Sequence, residues 1–169
     1  MANRKILHLE DAQLIMNFRN FRGLARGRIP AGTRNFCVYI PDELVDELRA
    51  DDWTLIEDTY NAREGEPPKY YIRVRARFDK YPPRVRLQSN NTMVDLTEET
   101  IGRLDTDDIE YVEMDINGSL KKDSNGNYTP GNGRTAYLSQ MFVRVKPDWF
   151  EEKYGINSEA MPSDEDTPF

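Results

Sequence analysis

Arginine recurs at every second position in the run Tyr70-Tyr71-Ile72-Arg73-Val74-Arg75-Ala76-Arg77-Phe78. In an extended chain successive side chains point to opposite faces, so Ile72, Val74, Ala76 and Phe78 share one face and Tyr71, Arg73, Arg75 and Arg77 the other. The first face suits a core. On the second, guanidinium groups with no interleaved acid repel one another, and an anion laid across them relieves that repulsion. The fork of donors on each guanidinium matches a phosphate; the alternative is that these arginines pair with carboxylates of the acidic second half of the chain. After "DKYPP", Arg84-Val85-Arg86-Leu87 repeats the alternation. Arg84 and Arg86 are therefore expected to extend the same basic face across a hairpin whose turn presents Tyr81.

A second basic group lies upstream: Arg19, Arg22, Arg26, Arg28 and Arg34, carried by "QLIMNFRNFR", "GLARGRIPAGT" and "RNFCVYI". Two strand-like runs joined by a Gly-, Arg- and Pro-rich link predict a β-hairpin with a long basic connection. Aromatic residues are interleaved with both groups. Phe21 shares a predicted face with Arg19, and Tyr71 with Arg73, so Phe21, Tyr71 and Tyr81 are the expected stacking platforms. Phe36 and Phe78 are assigned to the core by their periodicity. Stacking of a base on an aromatic ring contributes about 1–3 kcal/mol and tolerates any sequence. A duplex hides its base faces and a single strand offers them, so the chemistry indicated is capture of an unpaired polynucleotide.

Competing chemistries are weaker. Asp105, Asp107, Asp108, Glu110, Glu113 and Asp115 are concentrated in "LDTDDIEYVEMD", and such a group could hold Mg2+ for a nuclease. A solvated helix-to-strand turn with polar residues on the outer strand face accounts for it more simply. The chain has no phosphate-cradling GxxxxGK loop, no GxSxG elbow and no HExxH pair. With one cysteine, Cys37, and one histidine, His8, an internal disulfide and the ordinary zinc ligand sets are out of reach. No metal or cofactor is implied, and a non-enzymatic binding role is expected.

The net charge of −7 runs against polyanion binding until its distribution is read. Residues 1–90 hold 16 Lys+Arg against 13 Asp+Glu, and residues 91–169 hold 7 against 17. A basic surface on an acidic protein results. The acidic half also suits a rival reading, a protein-interaction module that imitates DNA and occupies a host enzyme's basic groove.

These side chains need a scaffold. The spacing of Leu44, Val45 and Leu48 behind Pro41 and Asp42 predicts a short helix, and "DLTEETIGRLD" predicts another, begun by Asp95 or Thr97. "IEYVEMDI" and "AYLSQMFVRVK" alternate as strands, joined by a long turn-rich link holding Lys121, Lys122 and Tyr128. Five or six strands, long hairpin loops and one or two short helices predict a mainly β fold, a five-stranded OB-like Greek-key barrel. One domain is expected over 1–156, followed by a disordered acidic tail over 157–169. The absence of a long apolar run predicts no membrane span and a cytoplasmic location. Oligomeric state is not fixed by the sequence; a homo-oligomer is compatible with it.

The terminal "DEDTPF" resembles the C-terminal tip of bacterial single-stranded-DNA-binding proteins, in which an acidic run is followed by an apolar residue, proline and terminal phenylalanine. Asp164, Glu165, Asp166, Pro168 and Phe169 match that pattern, and Thr167 replaces the usual apolar residue. The body, through "FRNFRG", "RNFCVYIP", "YYIRVRARF", "PPRVRL" and "AYLSQMFVRV", resembles phage-encoded single-stranded-DNA-binding proteins of the OB-fold kind. The resemblance implies sequence-independent binding of single-stranded DNA in replication, recombination or repair within a bacterial host cell. It also implies that the tip recruits replication or repair proteins: a terminal ring and its carboxylate can enter a basic-rimmed pocket together.

Overall fold

The computed structural model describes residues 3–60, 62–129 and 131–147. Eight strands run in chain order: β1 (Arg4–Leu9), β2 (Asn35–Tyr39), β3 (Ile56–Glu57), β4 (Tyr70–Arg75), β5 (Arg84–Ser89), β6 (Thr92–Leu96), β7 (Ile109–Leu120) and β8 (Arg134–Val145). The mainly β expectation holds, with eight described strands in place of five or six. Among the described residues helix is confined to α1 (Val45–Ala50) and to three 3-10 turns, at Met16–Phe18, Asp42–Leu44 and Ile101–Asp105. The first predicted helix appears as α1; in place of the second there is only a 3-10 turn. It is displaced, because β6 runs through Leu96 and the helical turn starts only at Ile101. Among the described residues no helix is long and apolar enough to cross a membrane. The predicted tail, 157–169, lies outside the described residues.

The long antiparallel pair β7–β8 is the spine. Along β7, Val112, Met114, Ile116 and Leu120 are buried and their neighbours face outward, as strand periodicity requires. On β8 the phase changes partway: Ala136 and Leu138 are buried, then Met141, Val143 and Val145. The register supplies the reason. Ile116 pairs with Leu138 while Asp115 pairs with Gln140, so Ser139 is an extra residue, a bulge that returns Gln140 and Phe142 to the outer face.

Both edges of the spine are extended. β1 pairs with β7, and the other edge of β8 takes β4 on its first half and β5 on its second, both parallel. β4 and β5 therefore do not form the expected hairpin with each other. Tyr81 donates its backbone N–H to Arg77 O at 2.8 Å, and Pro82 and Pro83 follow with no N–H to give to an antiparallel ladder. The chain turns there and continues along the same edge of β8. β2 and β3 flank β4, and β6 pairs with β5. Beyond β1, Ala12 donates to Val112 O at 2.8 Å, Ile15 to Cys37 O at 2.9 Å, and Tyr39 to Gln13 O at 3.0 Å. The chain leaving β1 thus bonds to β7 and then to β2.

The core lies on the inner side of this sheet, where Phe21 and Phe36 stack with centroids 4.9 Å apart and are both fully buried. Each large apolar side chain withdrawn from water in this way contributes about 1.5–3 kcal/mol. Gly118 is required by packing: a Cβ there would stand 2.4 Å from the Trp53 ring. The buried Arg134 lies over that ring at 5.9 Å and donates to Gly118 O at 3.0 Å and to Asp51 O at 2.7 Å, fixing the start of β8 against the end of α1.

Candidate nucleic-acid interface

The outer face of β8 carries Tyr137, Gln140, Phe142 and Arg144. Because β4 and β5 lie end to end along one edge of it, their outward arginines form a single line. Arg75 sits beside Tyr137, Arg84 beside Gln140, and Arg86 beside Phe142. The expected continuity of Arg73, Arg75, Arg84 and Arg86 is thus realised by a different route from the predicted hairpin. Tyr81 is 41% exposed, and its ring lies 5.3 Å from that of Tyr137. The result is a strip of guanidiniums bordered by a row of rings.

The state of each arginine separates them into groups. Arg73, Arg75 and Arg84 are exposed and make no ion pair among the described residues. Arg77 is held by Asp79 at 2.9 Å and Arg86 by Asp95 at 3.2 Å; both pairs are solvated, and such pairs contribute little and exchange readily for a phosphate. Arg22, Arg26 and Arg28 are exposed on the 19–34 connection and are free of ion pairs among the described residues. Arg34, half-buried, pairs with Glu98 at 3.3 Å.

Three expectations need correction. Arg19 is buried, donating to Leu104 O at 2.8 Å and to Asp107 O at 3.3 Å, so it ties the basic connection to the third helical turn. Phe21 is in the core against Phe36. Asn20 between them is buried as well, so the alternation expected for Arg19 and Phe21 is not realised and both side chains are withdrawn from the surface. Tyr71 does face outward with Arg73, yet it is only 9% exposed, covered in a small satellite cluster with Ile15, Cys37 and Phe18. Neither ring is open to a base. The sequence reading missed Tyr137 and Phe142. The available signal was the change of apolar phase across Ser139-Gln140, which marks the bulge and sends both rings outward.

The carboxylates considered for a metal are dispersed. Asp105 accepts from the backbone N–H groups of Phe21 at 2.6 Å and Arg22 at 3.0 Å, anchoring the basic connection. Asp107 pairs with Arg103, Asp108 with Lys146 and Glu110 with Arg144. Asp107, Asp108 and Glu110 thus face three different cations and form no common ligand group among the described residues, whereas Glu113 and Asp115 both face His8.

His8, Glu10 and Glu113 do bring their ligand atoms within 4.8 Å of one another. His8 Nδ1 is 2.5 Å from Asp115 Oδ1, and its Nε2 stands 3.5 Å from both Glu10 and Glu113. An imidazolium is the natural occupant of such a position. The Asp115 hydrogen bond raises the His8 pKa above its ordinary value, against the opposing effect of burial. Burial pushes the Asp115 carboxyl up, but the bonds from His8 and Gln140 outweigh it and hold the group below its ordinary value. Because the folded-state pKa of His8 is raised, its stabilisation is complete below the unfolded value of about 6.5 and is lost as pH rises through the folded one. The single histidine makes this measurable: in an NMR titration Asp115→Asn is expected to lower the His8 midpoint, and an unmoved midpoint would remove Asp115 as the cause.

Residues 2–166 match the family described as "Putative phage ssDNA-binding domain". The chain belongs to that family. No curated protein matches it.

Proposed function

We propose that this chain binds single-stranded DNA without sequence selection across the outer face of β8. The carrying observation is the line Arg73, Arg75, Arg84 and Arg86 running beside Tyr137 and Phe142. Arg77 and Tyr81 border that line, and Arg22, Arg26, Arg28 and Arg34 lie on the adjoining connection, where they contact the backbone as the strand leaves the sheet. Guanidiniums supply the phosphate contacts, and the exposed Tyr81 ring with the half-buried Tyr137 and Phe142 rings the base contacts. A role in replication, recombination or repair follows from binding unpaired DNA.

The scaffold is read as an OB-type Greek-key barrel. Support comes from the order in which segments bond around the core: β1 with its continuation through Ile15, β2, β4, β8, β7, then β1 again, with β4 and β8 parallel. The helical turn Ile101–Asp105, ahead of β7, and the β5–β6 hairpin are additions between its third and fourth strands. The terminal Asp164, Glu165, Asp166, Pro168 and Phe169 are proposed to recruit replication or repair proteins; they lie outside the described residues, and their sequence pattern alone supports the role.

Titration of labelled oligo-dT, duplex and RNA of equal length tests the binding reading. Tight binding of oligo-dT that weakens steeply with salt, with duplex much weaker, is expected. Absence of binding, or equal affinity at low and high salt, would overturn it.

A further inference from the structure

Two adjacent rows cross the sheet at the far end of this strip. In one, Arg86 on β5, Phe142 on β8 and Glu113 on β7 stand side by side; in the next, Arg84, Gln140 and Asp115 do the same. Together they line a cavity of about 260 Å³. Strands are spaced by about 4.8 Å, so a cation, a ring and a carboxylate follow one another at even intervals across the surface. This is the order in which a nucleotide presents phosphate, base face and base edge.

The two carboxylates are not equivalent. Asp115 is already occupied by His8 and by the side-chain amide of Gln140. Among the described residues Glu113 has only the His8 ring nitrogen at 3.5 Å, and its side chain is 37% exposed. A carboxylate placed on a polyanion-binding face repels the ligand unless it accepts hydrogen bonds from it. Tyr111 sits edge-on to Phe142 at 6.2 Å and keeps that ring beside Glu113. A base lying on Phe142, with its phosphate toward Arg86, brings its hydrogen-bonding edge to Glu113.

The geometry points to a base-reading subsite at Phe142 and Glu113 that favours bases carrying an exocyclic amino group over thymine. An ionised carboxylate only accepts hydrogen bonds. Cytosine offers its N4 amino group, the contact that acidic side chains make in base recognition. Guanine offers its ring N–H and amino group together. Thymine offers a lone ring N–H flanked by two carbonyl oxygens, which the second carboxylate oxygen repels. The inference rests on the proposed single-strand binding and modifies its lack of sequence selection at one position along the bound strand, where base composition is discriminated.

Anisotropy titrations of the full chain with labelled oligo-dC and oligo-dT of equal length test it. Wild type is expected to bind oligo-dC at least about fivefold more tightly, the low end of what one well-placed base contact discriminates. Glu113→Gln is expected to bring the ratio close to one by weakening oligo-dC, with oligo-dT unchanged or tighter. Equal affinities in wild type, or a ratio that survives in Glu113→Gln, would overturn the subsite and leave single-strand binding standing. Failure of wild type to bind either oligomer would remove the binding reading as well.

Discussion

An Arg73→Glu/Arg75→Glu double variant is expected to bind oligo-dT at least about a hundredfold more weakly than wild type at low salt, while unfolding at the same temperature. Each guanidinium that neutralises a phosphate on a single strand contributes about 0.7 to the slope of log affinity against log salt, so two lost contacts flatten the slope by about 1.4. Reversal, as opposed to truncation, also sets a carboxylate against the strand. Both side chains are exposed and form no ion pair among the described residues, so the fold loses little. Unchanged affinity, or unchanged slope, would place the phosphates elsewhere.

Phe21→Ala and Tyr137→Ala are expected to fail in opposite ways. Phe21 is fully buried and stacked on Phe36, and truncating such a ring leaves a cavity that costs about 3–5 kcal/mol. Against a total stability of roughly 5–15 kcal/mol, that is a large part of the fold. Denaturant unfolding would show it as a lowered midpoint. Tyr137 packs on Tyr81 at the surface, so its loss leaves the midpoint nearly unchanged and weakens oligo-dT by the worth of one stacked base, about 1–3 kcal/mol or roughly 5- to 150-fold. If Phe21→Ala unfolds like wild type and loses binding instead, Phe21 is a platform and the packing described for it is wrong.

The contrast shows where the sequence was legible. The face shared by Arg73 and Arg75 could be read because strand alternation is a local rule, and Val74 with its full burial fixes which way the run points. Arg19, Asn20 and Phe21 are all buried outside any strand, and nothing local announces that the alternation read for them fails. Phe36, distant in sequence, claims Phe21, and the carbonyl groups of the third helical turn claim Arg19. Tyr71 faces outward as read; Phe18, brought back by the 3-10 turn Met16–Phe18, covers it at a centroid distance of 6.0 Å. The pairing of β5 with β8 instead of β4 is likewise non-local. Two prolines forbid the nearest ladder, and the only sign of the alternative is that β8 is twice the length of either strand, at 12 residues against 6 and 6.

Photocrosslinking of a single strand carrying halogenated uracil, followed by mass spectrometry of the linked peptides, tests the central claim most directly. Crosslinks are predicted on Tyr81 and Tyr137, outside the Phe142 subsite that disfavours a thymine-like base. Crosslinks confined to other surfaces, such as the ring of Tyr60 or of Tyr128, both exposed and off the β8 strip, would contradict the account.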